Sequence, residues 1–93
     1  MIDIYKVKMA PDYQKEIVEN VRNRRKEMKL SQEGLSRKSG VSLGSIKRFE
    51  NSGEISLFSL IKIGMALECQ NDFSQLFQKK KYQSIQEVID DQI

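Results

Sequence analysis

Through the middle of the chain apolar residues recur at helical spacing, and short polar turns separate the runs. Ile17, Val18, Val21 and Met28 share one face and predict a first helix over 13–28, opened by Pro11-Asp12. Arg24-Arg25-Lys26 falls in its last turns, where the helix dipole favours positive charge. Lys29-Leu30 forms a corner, and Ser31 is the N-cap of a second helix over 32–39 with Leu35 facing inward. Gly40 suits a left-handed helix end, Val41 plugs the corner, and Ser42 caps a third helix over 43–51. Ile46 and Phe49, three apart, face inward on that helix. Asn51-Ser52-Gly53 closes it, and Ser56 caps a fourth helix over 57–67. This fourth helix carries Leu57, Leu60, Ile61 and Leu67 on a broad apolar stripe, with Gly64 allowing close packing. Asn71 caps a short fifth helix containing Phe73, Leu76 and Phe77.

The flanks read differently. In residues 1–10, Ile2 and Ile4 alternate with Tyr5, Val7 and Met9, which suits a short strand or an arm. Past Lys79-Lys80-Lys81, which reads as a solvated connector, Ser84-Ile85-Gln86-Glu87 is a capping-box pattern. It opens a final helix with Ile85, Val88 and Ile89 on one face. The expected fold is all-α: a compact bundle of about five helices, a short C-terminal helix and an N-terminal arm or strand. Its parts are an arm at 1–12, a main domain at 13–78 and an extension at 79–93, which dimerises or contacts a partner.

Helices 2 and 3 meet at Ser39-Gly40-Val41 with apolar residues inside and Gln, Ser, Lys and Arg outside. That is the layout of a helix-turn-helix, in which one helix is braced across another and presents its free face to a DNA groove. Charge distribution supports a polyanion partner. Residues 13–51 hold ten Lys/Arg against five acids, while residues 52–93 are net −2 and residues 1–12 balance. Histidine is absent and Cys69 is the one cysteine, which excludes a structural zinc site and a His-dependent nucleophile. The chain reads as a non-enzyme with no metal and no cofactor. No run approaches a membrane span, Met1 to Met9 is no secretory signal, and Cys69 has no internal disulfide partner, so the cytoplasm is the expected compartment.

On these residues the chain resembles the phage-repressor-like XRE/Cro-type helix-turn-helix family. The matching elements are Arg-x-x-Arg-Lys at 22–26, Leu-Ser-Gln-Glu-x-Leu at 30–35, Gly-Val-Ser at 40–42 and Ile-Lys-Arg-Phe-Glu-Asn at 46–51. Leu-Ile-Lys-Ile-Gly-x-Ala-Leu at 60–67 continues the match. The resemblance implies a dimeric transcription regulator. It places Ser42, Leu43, Gly44, Lys47 and Arg48 on the groove-facing side of helix 3, and Gln32, Ser45 and Asn51 against phosphates. It also implies that Arg25 and Glu50 form an ion pair tying helix 1 to the end of helix 3.

Three positions depart from the family pattern. Ser36 stands where a small Ala is usual, which suits the site if its hydroxyl bonds back to the helix. Glu54-Ile55-Ser56 replaces the common Pro before helix 4. Leu43 and Gly44 replace side chains that often hydrogen-bond bases, so direct readout rests mainly on Arg48, whose guanidinium can grip guanine O6 and N7. The function expected first is a sequence-specific double-stranded-DNA-binding repressor acting as a homodimer. Two alternatives stay open: an antitoxin-type regulator that also binds a partner toxin through 79–93, and a protein-interaction adaptor without DNA binding.

Overall fold

The computed structural model describes residues 7–80, and all of its regular elements are α-helices: α1 (Ala10–Glu27), α2 (Gln32–Ser39), α3 (Leu43–Ser52), α4 (Leu57–Ala66) and α5 (Gln70–Gln75). Serines start three of them. The Ser31 hydroxyl accepts the Gly34 N–H at 2.9 Å, Ser42 accepts Ser45 N–H at 3.2 Å, and Ser56 accepts Ser59 N–H at 3.1 Å. Each such cap contributes about 1 kcal/mol by satisfying a donor the helix leaves open. Ser56 thus opens α4 without the proline that is common before it.

α1 begins earlier than the Pro11-Asp12 signal suggests. Met9 is its N-cap, Pro11 occupies the first turn, and the Asp12 carboxylate reaches back to accept the Met9 N–H at 2.7 Å. Residues 10–12 therefore belong to the helix rather than to an arm, and residues 7–9 form no strand. Residues 1–6, and the helix expected after Ser84, lie outside the described residues.

The core gathers Leu35, Val41, Ile46, Ile63, Ala66 and Leu67, with Val21, Met28 and Leu30 packed on its edge. Four of these side chains, Leu35, Ile46, Ile63 and Leu67, are fully enclosed. Each contributes about 1.5–3 kcal/mol by burial alone. Leu57 departs from its expected stripe: it sits in the first turn of α4 with 64% of its surface exposed, and Ile63 takes the deepest position instead. Ile17 is likewise 47% exposed on α1, while Val18 beside it is buried.

The α2–α3 corner is closed by side chains as well as backbone. Gly40 adopts the left-handed conformation (φ 77°), which a Cβ would disfavour, and Val41 is buried next to it. The Ser36 hydroxyl donates to Val41 O at 2.6 Å, and Ser39 Oγ accepts Val41 N–H at 3.1 Å. Ser36 therefore bonds forward across the turn, not back along its own helix. Both backbone groups of the plugging valine are satisfied, and the angle between α2 and α3 is held at the point where it is set.

α5 starts at Gln70 with Cys69 as its N-cap, so Asn71 lies inside the helix and Leu76 and Phe77 lie beyond its end. Gly64 explains how so short a helix docks: a Cβ there would stand 2.2 Å from Phe73 Cε2, so the bare α4 backbone is what admits the ring.

Candidate nucleic-acid interface

α3 is two-sided. Ile46, Phe49 and Glu50 are buried, whereas Ser42, Gly44, Lys47, Arg48 and Asn51 are exposed along the opposite side. Leu43 and Ser45 lie half-buried between the two. Ser42 Oγ donates to Ser45 Oγ at 2.8 Å, which ties both hydroxyls into the helix start. Among the described residues Lys47 and Arg48 make no side-chain hydrogen bond or ion pair. Nothing lies within 4 Å of where a Gly44 Cβ would be, so the backbone is open at that turn. Arg48 and Ser45 share a shallow cleft with Ser56 and Ser59 at the start of α4, and Glu54 stands at its edge. Asn51 lies within the last turn of α3, not past it, and borders a second cleft shared with Lys15 and Arg22 of α1.

Behind this face stands a charged network centred on Glu50. Arg25 meets its carboxylate with two parallel bonds, Nε to Oε2 at 2.8 Å and Nη2 to Oε1 at 2.9 Å. Its third donor, Nη1, reaches Leu30 O at 2.9 Å. Arg22 Nη2 holds the Glu50 carbonyl at 2.7 Å, and its Nε lies 3.3 Å from Oε1. Gln32 Nε2 completes the set at 3.2 Å from Oε1. Burial pushes the Glu50 carboxyl up, but hydrogen bonds from Arg25, Gln32 and Arg22, together with the Arg25 charge, outweigh it and hold the group below the ordinary carboxylate range. One buried carboxylate thereby joins α1, the start of α2 and the last turn of α3.

Arg22 and Gln32 were the partners that sequence reasoning missed. Arg22 and Arg25 are three apart on one helix, a spacing that puts both guanidinium groups on the same side and carried the available signal. Gln32 offers two amide N–H donors, one of which is directed inward to Glu50.

A helix-turn-helix family model matches residues 21–70, more than half of the chain, running from the middle of α1 to the first residue of α5. The chain belongs to the XRE/Cro-type helix-turn-helix family. No curated protein and no solved structure matches it. XRE/Cro-type domains are typically non-enzymatic and belong to DNA-binding transcription regulators, and the matched span includes α2, the Gly40 corner and α3 entire. Among the described residues no helix of this XRE/Cro-type chain is long and apolar enough to cross a membrane.

Proposed function

We propose that the protein is a repressor that reads a near-palindromic operator as a homodimer, with α3 of each subunit in a major groove. The observation that carries this reading is the division of α3: one side is sealed into the core, and the other offers Lys47, Arg48 and Asn51 to solvent. A bare backbone turn at Gly44 adds to it by leaving room for close approach. Arg48 takes the base-reading role, as its fork can match guanine O6 and N7. Leu43 packs on a thymine methyl, and Lys47, Ser42 and Gly44 complete the groove-facing set. Gln32, Ser45 and Asn51 contact phosphate. The second amide N–H of Gln32 is the donor for this role, since the first is held by Glu50.

Two half-sites then lie about 34 Å, one turn of duplex, apart. The experiment is selection of bound sequences from a random duplex pool, followed by affinity measurements at several salt concentrations. A symmetric consensus is expected. The slope of log K against log salt should approach −0.9 for each phosphate neutralised. A flat salt dependence with no enriched sequence would refute the reading.

A further inference from the structure

A cleft separates α1 from the end of α3. Lys15, Glu19 and Arg22 form one wall, and Asn51 and Ser52 form the other. Gln14 ties the walls together by donating to Gly53 O at 3.1 Å. Positions 15, 19 and 22 are four and three apart, so the helix brings their side chains to one face. α1 therefore meets α3 beside Asn51, at the margin of the side that α3 exposes.

The charges around this cleft do not cancel. Two guanidinium groups surround Glu50, and the closer one, Arg25, neutralises it through paired bonds at 2.8 and 2.9 Å. Arg22 approaches the same carboxylate more loosely, at 3.3 Å, so its positive charge is surplus. Among the described residues Arg22 pairs with no other carboxylate, and Lys15 has no side-chain hydrogen bond or ion pair.

Arg22 is also fixed before any ligand arrives. Its Nε donates to Glu50 Oε1 and its Nη2 to Glu50 O at 2.7 Å, while the side chain stays 38% exposed. Three of the five guanidinium N–H donors remain. A fork anchored on one edge and open on the other suits a phosphate, whose oxygens accept parallel bonds. Its rotamer is already set by the fold, which lowers the entropy cost of binding. Gln32 Nε2 bonds the same Oε1, so its amide stands next to the Arg22 head.

We infer that α1 carries a phosphate-binding edge: Arg22 grips a DNA phosphodiester adjoining those taken by Gln32 and Asn51, and Lys15 holds a further one. Lys15 lies seven residues before Arg22, about 10 Å along the helix, which separates the two contacts. The inference rests on the duplex-binding reading above and adds two residues to it. Neither residue touches a base edge, so both act alike on every sequence. Glu19, between them in the cleft, opposes the polyanion and limits the affinity.

The test is the affinity of each variant for the selected duplex and for an unrelated one, across a range of salt. Lys15→Ala and Arg22→Met should each weaken both complexes about three- to tenfold at about 0.1 M salt and make the slope of log K against log salt shallower by about 0.9. Arg22→Lys keeps the charge without the fork and should restore most of the slope. Glu19→Gln should tighten both complexes. Lys79→Ala removes the same charge beyond α5, outside the cleft, and should leave the slope unchanged. Lys15 is exposed and bonded to nothing the core needs, so its variant keeps the test valid if Arg22→Met fails to fold. Unchanged slopes for Lys15→Ala and Arg22→Met overturn the inference. A change of equal size for Lys79→Ala overturns it in favour of diffuse net charge, and a loss confined to the selected duplex overturns it in favour of sequence reading. A parent chain with no duplex affinity refutes the reading above and this inference with it, whereas a parent that binds while positions 15 and 22 are silent overturns this inference alone.

Discussion

Replacing Glu50 with alanine tests whether the buried carboxylate holds the domain together. The substitution strips Arg25 of two of its three bonds and leaves only Leu30 O for a guanidinium whose side chain is 10% exposed. Breaking a buried pair in this way costs about 3–5 kcal/mol, because the surviving charge stays out of water without compensation. The Arg22 bond to the same carboxylate adds less than about 1 kcal/mol, since that side chain is 38% exposed and can turn to solvent. A chain of this length has a total stability of about 5–14 kcal/mol, so the change removes a large fraction of it. Urea denaturation followed by circular dichroism reads the loss directly, and the thermal midpoint should fall by on the order of 20 °C. The companion variant, Arg25→Met with Glu50→Leu, removes both charges at once and should recover most of the loss. A cost below about 1 kcal/mol for Glu50→Ala would refute the argument, as would a double variant no more stable than the single one.

Further outcomes follow from the same geometry. Lowering the pH should weaken the domain through Glu50: its folded pKa is depressed, so its contribution is complete above the ordinary value of 4.5 and disappears as pH falls through the lower folded value. The stability difference between the parent chain and Glu50→Gln, measured in urea at several pH values, should shrink across that window; a difference that grows as pH falls would contradict the assignment. Arg48→Ala should cost about 1–3 kcal/mol on the preferred duplex and relax discrimination at one position. An equal loss on every duplex would make Arg48 a phosphate contact. Gly44→Ala should stabilise the fold by about 0.5–1 kcal/mol, since its new methyl meets nothing and helix propensity rises. Gly64→Ala should destabilise it by about 1–3 kcal/mol through collision with Phe73, and urea midpoints of the two variants moving in the same direction would show that packing at these glycines has been misjudged.

What the sequence made legible was local. Ser31, Ser42 and Ser56 each bond an N–H three residues on, and Gly40 takes its left-handed turn within one residue, so neighbouring chain determines these features. Helix order, the turn and the family followed from them. Harder to read were features decided by distant contacts. The extent of α5 depends on Phe73 finding the bare backbone of Gly64 nine residues earlier, and the exposure of Leu57 depends on Ile63 claiming the core. Gln32 was read from its position at a helix start, where an anion is favoured. Its inward bond to Glu50 spans 18 residues and leaves no mark in local pattern. The same holds for Ser36, whose acceptor lies across the turn rather than along the helix.

Among the described residues the exposed side chains of Lys47 and Arg48 make no hydrogen bond or ion pair, and nothing stands where a Gly44 Cβ would be. Under the proposed function, changing residues at these three places retunes which duplex is bound, with little penalty in folding to restrain it. Copies of such a gene are free to diverge in their targets while keeping one scaffold, and a randomised library at 44, 47 and 48 inherits the same freedom.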